Sequence, residues 1–285
     1  MEGKAVAPAA GTVLNALATG RGSAFAIDEY TTATVEVTTE TGVTGAIDGA
    51  PEADTRLIER CVEYVIDAHG DQDASGGHVY TESEVPMASG LKSSSAAANA
   101  TVMATLDALD ATDQMSRADM ARLGVMAARD AGVTITGAFD DASASMLGGV
   151  TVTDNETDDL LSREAVEWDV LVWSPPEQSF SADADVERCK QIAPMARLVE
   201  DLALDGEYQR AMTVNGLAFC AALGYDTDPL VEGMAAVDGV SLSGTGPSFT
   251  AVGDREALET VKTYWDRRDG ETLLTTTQTA GTQTV

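Results

Sequence analysis

Lysine is nearly missing from this chain. Of 285 residues only Lys4, Lys92, Lys190 and Lys262 are lysines, and 17 Lys and Arg face 47 Asp and Glu, a formal net charge of −30. Such a chain repels phosphate backbones and anionic lipid, which argues against nucleic-acid and membrane-surface partners. No run of about 18 apolar residues occurs, so no membrane-spanning helix is expected. The opening MEGKAVAPAAGTVLNALATG is broken by glycines and polar residues, lacks the apolar core of a signal peptide, and reads as part of the fold. Cysteine is scarce: Cys61, Cys189 and Cys220 sit in apolar helical patterns without a CxxC, as buried free thiols of a reducing cytosol would, and a cytoplasmic protein is expected. Only His69 and His78 are histidines, and without HExxH or cysteines at metal spacing no zinc or iron site is expected. There is no GxSxG elbow, no GxxxxGK[ST], and the late GTGPS turn is not GxGxxG. Serine-hydrolase, Walker-type and Rossmann readings therefore lack their fingerprints.

The acids that dominate the charge are dispersed, and 44% of the residues are hydrophobic, so the chain should fold. A dispersed acidic, lysine-poor surface suits a high-salt cytoplasm, where concentrated ions screen self-repulsion. The pattern is α+β in two halves. Residues 8–27 read as a loop and short helix packed against another backbone. Strands are expected over 30–39, 78–85, 149–154 and 168–173, with a strand–turn–strand over 241–253. Helices are expected over 54–69 with Asp54 as N-cap, over 94–109, and from Ser116 in a capping box with Asp119. The second half adds helices over 183–203, broken or kinked by Pro194, over 207–223, over 228–236 and after Asp254. The threonine-rich end suggests a last strand, and the boundary between the halves is placed at 157/158.

Three stretches could carry chemistry. In PMASGLKSSSAAANA (86–100) a strand ends, the chain turns, and a helix begins within three serines. Backbone amides, hydroxyls and the helix dipole would converge there as a phosphate seat, although an ordinary serine-capped helix has the same appearance. In ITGAFDDASASMLGG (135–149), Asp140 and Asp141 adjoin small residues, either as catalytic acids or as a solvated turn. The turn SGTGPSF (243–249) is permissive enough to lie against a phosphate or to close a plain hairpin.

Together these stretches resemble the signature of the GHMP kinase superfamily, the small-molecule kinases that include galactokinase, homoserine kinase and mevalonate kinase. The second family motif, P-x-x-x-G-L-x-S-S-A, stands here as Pro86, Gly90, Leu91, Ser93 and Ser94, with Ser95 in place of the usual alanine. Asp141 lies seven residues before Gly148 of the Gly148–Gly149 pair, the spacing of the family's catalytic aspartate, which Asp140 misses by one. Gly244, Gly246 and Ser248 fit the third motif loosely. Within the superfamily, GTVLNALATGRGSAFAID, TGAFDDASAS and SGTGPSF look like the archaeal type of shikimate kinase.

The resemblance implies a two-domain fold. An N-terminal domain (1–157) would be like ribosomal protein S5, with a left-handed βαβ unit, and a C-terminal α/β sandwich-like domain (158–285) would follow. It implies transfer of the γ-phosphoryl of ATP to shikimate, with Mg²⁺ as cofactor. A homoserine or mevalonate kinase, or a non-catalytic metabolite-binding protein of the same fold, are the alternatives. The nucleotide would lie on Pro86, Met87, Ala88, Ser89, Gly90, Leu91, Lys92, Ser93, Ser94, Ser95 and Ala96. Asp141 would be the catalytic base. Ser94 would reach Mg²⁺, as would Asp130, eleven residues before Asp141 where the family usually has glutamate. Arg21, in its glycine-flanked segment, is the first candidate for the shikimate carboxylate and Arg197 the second; each is otherwise a surface arginine.

Overall fold

The computed structural model describes residues 1–71, 73–85, 90–177 and 184–285. Its first sheet is built on two long strands, β1 (Glu2–Leu14) and β2 (Arg21–Thr38), antiparallel along most of their length. The C-terminal half of β2 pairs with β4 (Gly76–Ser83), and β4 pairs in parallel with β3 (Gly42–Ile47), to which α1 (Arg56–His69) connects it. The N-terminal end of β2 pairs instead with β5 (Val150–Asp154), and β5 with β6 (Asp159–Glu164). One strand therefore carries two partners on the same edge, which brings the 150s beside Arg21 and Gly22.

Residues 8–27 are not a loop and short helix. They form most of β1 and the start of β2, joined by a single 3₁₀ turn at Ala16–Ala18. Buried on both faces, this part of β1 shows no polar–apolar alternation, and its alanines and glycines carry no β-branched signal. Smallness is what the packing demands: a Cβ on Gly11 would stand 2.3 Å from the Phe25 ring, and one on Gly3 2.2 Å from the Ala104 carbonyl.

The Ala104 carbonyl belongs to α2 (Ser93–Ala108), which lies across β1 and β2 and is buried on almost every side from Ala96 to Leu106. Its alanines let the helix axis approach the sheet closely. Around it pack α1, α3 (Arg117–Ala131) and α4 (Phe139–Leu147) in one apolar core. Ser116 caps α3 as expected, its Oγ accepting from the Asp119 amide at 3.2 Å. At α1 the N-cap is Thr55, and Asp54 accepts from the Arg56 amide one step further out.

The second sheet has the antiparallel order β10–β7–β9–β8, from β7 (Asp169–Ser174), β8 (Gly239–Leu242), β9 (Phe249–Gly253) and β10 (Glu271–Thr276). Its helices are α5 (Val186–Gln191), α6 (Ala193–Leu204), α7 (Tyr208–Leu223), α8 (Asp228–Met234) and α9 (Arg255–Trp265). The helix expected over 183–203 is two, α5 and α6, with Pro194 in the first turn of α6, where its missing N–H costs nothing. Residue 183 lies outside the described residues.

A boundary at 157/158 would cut the β5–β6 hairpin. The chain instead leaves the first sheet after β6 and returns to it at the end, where Thr277 bridges to Ile27 and β11 (Gln283–Thr284) pairs with β1. Among the described residues, no helix is long and apolar enough to cross a membrane.

Candidate active site

The start of α2 has an unusual entry. Lys92 occupies the N-cap position in the left-handed region, at φ 64° and ψ 29°, and no side chain caps the helix. The first intrahelical bond runs from the Ala96 amide to the Lys92 carbonyl at 3.1 Å, so the amides of Ser93, Ser94 and Ser95 precede it, as helix geometry requires. These three serines, with Gly90 and Lys92, line a cavity of about 520 Å³. A helix start whose first three residues line one cavity favours an anion there, through its N–H groups and dipole.

Asp141 lines the same cavity, in the first turn of α4. Its carboxylate is 9% exposed, and Lys92 Nζ stands 2.9 Å from each of its oxygens. The approach is aligned for a hydrogen bond to Oδ2 alone, which leaves the buried Oδ1 without a hydrogen-bond donor. Burial, reinforced by the charge of Asp140, pushes the Asp141 carboxyl up to about 7, while the Lys92 ammonium holds it down. One of only four lysines is thus the counter-ion of the aspartate singled out by its spacing to the double glycine. The far wall of the cavity is apolar, with Ile47, Leu57, Ile58, Val125, Ala128 and Val133.

The late turn is tied to the residue before Leu91 and to the end of β1. Ser243 Oγ donates to the Gly90 carbonyl at 2.9 Å, and the Gly244 amide donates to Thr12 Oγ1 at 2.8 Å. Asn15 Nδ2 donates to the Gly244 carbonyl at 2.8 Å, and the Asn15 amide to Asn215 Oδ1 at 3.0 Å. Neither asparagine was a sequence candidate. The available signal was a polar residue inside an apolar helix, Asn215 in MTVNGLAF, which is fully buried in α7.

Of the expected site residues, Gly90, Lys92, Ser93, Ser94, Ser95 and Asp141 come together on the cavity. Leu91 and Ala96 are buried beneath it. Pro86, Met87, Ala88 and Ser89 lie outside the described residues. Asp130 does not join them: it is exposed near the end of α3, where its carboxylate accepts from the Tyr64 hydroxyl, and it does not line the cavity. Arg21 does not line the cavity and is no free cation, since Asp154 holds it at 2.6 Å and Glu200 at 3.5 Å. Arg197 is exposed on α6 and does not line the cavity. For Mg²⁺ the donor present on the cavity is a hard oxygen, the Ser94 hydroxyl, which suits that ion once phosphate oxygens complete its shell. Among the described residues, no group of three or more His, Cys, Asp and Glu is placed to hold a metal without such help.

Comparison with known proteins assigns the chain to a family. The model of the GHMP kinase N-terminal domain matches residues 56–149, from α1 through Gly149. A shikimate kinase of Halobacterium salinarum is 64% identical over 285 residues, the whole of both chains. One of Methanococcoides burtonii is 52% identical over 266 residues, 93% of this chain and 91% of the relative. The fold is that of Cytophaga hutchinsonii homoserine kinase, at TM-score 0.76 and 16% identity over 100% of this chain and 97% of that one. Methanococcus jannaschii mevalonate kinase superposes with TM-score 0.76 at 15% identity, over 98% of each chain. Cavity, aspartate and full-length identity converge on one assignment: the chain belongs to the GHMP kinase superfamily, in the shikimate kinase family of its archaeal relatives.

Proposed function

We propose that this protein transfers the γ-phosphoryl of ATP to a shikimate hydroxyl, giving shikimate 3-phosphate and ADP. The observation that carries the chemistry is a single cavity shared by the first turn of α2 and by Asp141, with Lys92 between them. The substrate is inferred from relatives identical at 64% and 52% along essentially the whole chain. Similarity to homoserine and mevalonate kinases, at 16% and 15% identity, concerns the fold alone.

Phosphoryl transfer asks chiefly for positioning and charge neutralisation. The amides of Ser93 to Ser95 would hold the triphosphate, and the apolar wall at Leu57, Ile58 and Val125 would take the flat face of the base. Ser94 would hold Mg²⁺ together with the phosphate oxygens, whose charge the ion neutralises when bound. Asp141 Oδ1 would accept the proton of the attacking hydroxyl. Lys92 would keep Asp141 ionised and offer its remaining N–H bonds to the transferring group. The shikimate carboxylate would pair with Arg21 in place of Glu200, whose 3.5 Å contact is the looser of the two. Burial pushes the Glu200 carboxyl up, which eases its displacement.

The test is Asp141→Asn. Turnover should fall by at least ~10², the scale of general-base catalysis, while the Kd of a non-hydrolysable ATP analogue stays within about twofold, since the amides of α2 are untouched. Near-normal turnover would remove Asp141 from the role of base.

A further inference from the structure

α4 carries Asp141 but has no capping side chain of its own. Its N-cap is Ala138, at φ 54° and ψ 41°, and a methyl group accepts no hydrogen bond. A helix start without an acceptor leaves its first amides unpaired and its first turn free to shift. Asn155, in the turn between β5 and β6, fills the gap from outside the helix. Its Oδ1 accepts from the Asp140 amide at 3.1 Å, and its Nδ2 donates to Asp140 Oδ1 at 2.7 Å. Asn155 is 2% exposed and Asp140 4%, so water is no ready substitute for either bond.

Asn155 is itself held on every side. Thr153 Oγ1 donates to its Oδ1 at 2.7 Å, which fixes the amide's orientation. Its backbone amide donates to the Gly20 carbonyl at 2.9 Å, and its carbonyl accepts from Arg129 Nη2 at 3.1 Å. Arg129 grips the other end of the same turn through both oxygens of Asp158, at 2.6 and 2.8 Å. These bonds go to α3, α4, β5 and Gly20, and none reaches the described residues of the phosphate loop.

We propose that Asn155 is a positioning residue for phosphoryl transfer, an N-cap supplied in trans that fixes the first turn of α4 and with it the direction of the Asp141 carboxylate. The proposal rests on Asp141 being the proton acceptor. Asn155 acts through the amide and carboxylate of Asp140, so it governs the chemical step and not the nucleotide.

Asn155→Ala, assayed in molar KCl, should lower kcat at least tenfold, because a displacement of about 1 Å at a reacting group can cost on the order of 10² in rate. The Kd of a non-hydrolysable ATP analogue should stay within twofold. A second pair of variants covers the case in which this one does not fold. Asn155→Asp sets two carboxylates against each other and should be at least as impaired. Adding Asp140→Asn restores the reciprocal bond with its direction reversed, and kcat should recover at least tenfold over the single variant. A loss of kcat below tenfold in Asn155→Ala, a parallel loss of ATP-analogue affinity, or no recovery in the exchange would each overturn the proposal. Asp141→Asn run alongside separates the two ideas: an active Asp141→Asn defeats the base, whereas an inactive one beside a fully active Asn155→Ala defeats only the cap.

Discussion

Asp141 and Lys92 form an ion pair whose charge state should set the pH response of the proposed reaction, with Asp141 as its base. Burial and Asp140 push Asp141 up to about 7 from an ordinary 3.8, and Lys92 opposes them. The base acts when deprotonated, so kcat/KM should climb about tenfold per pH unit on the acid side and level off above about 7. Removing the opposing cation with Lys92→Met should move this limb to higher pH. A limb left in place would show that Lys92 does not govern Asp141. Stability has the opposite sign. Between roughly pH 4 and 7 the folded chain keeps a proton that the unfolded chain releases, so this carboxyl's contribution falls as pH rises through that window.

At the scale of elements, Gly90 at the end of the loop before α2 is locked against the late turn, Ser243 Oγ donating to its carbonyl. Gly90 has φ 88°, and a Cβ there would stand 2.5 Å from the Ser243 carbonyl oxygen and 3.0 Å from that of Gly246. A left-handed non-glycine residue costs about 1–2 kcal/mol before any collision. Gly90→Ala should therefore lower Tm and weaken ATP-analogue binding at least tenfold, by forcing the late turn off the loop. Unchanged affinity by calorimetry would show that the two turns are not coupled. Elements also differ in how readily the sequence discloses them. That the first turn of α2 and Asp141 belong together was legible as a candidate site, because the proposed phosphate binding calls for small residues and amides in one contiguous stretch and because Asp141 stands seven residues before Gly148. The later part of β1 was not, since a stretch buried on both faces and rich in alanine and glycine has no period to detect. The isolation of Asp130 was hidden too, because spacing along the chain does not say which face of α3 a residue takes. Asn15 and Asn215 meet across 200 residues, and Asn155 reaches α4 only because β2 pairs with β5. No local pattern encodes such meetings.

For the whole molecule the governing quantity is the charge of −30. Several ion pairs bind neighbours on one helix, such as Lys190 with Glu187 and Lys262 with Asp266, and so do little to offset repulsion across the molecule. Screening must supply the rest. The Debye length is about 3 Å in 1 M salt and about 10 Å at 0.1 M. Circular dichroism should therefore show a folded chain in molar KCl and a loss of helix signal on desalting, whereas an unchanged spectrum would mean that the packed cores withstand the charge unaided. The same salt sets the conditions for the measurement that bears most directly on what this protein does: ADP release, coupled to a salt-tolerant reporter in molar KCl, with shikimate, homoserine, mevalonate and galactose offered separately. ADP release that depends on shikimate and is absent with the other three is the predicted result. Activity confined to one of the others, or no ADP release with any of them, would contradict it.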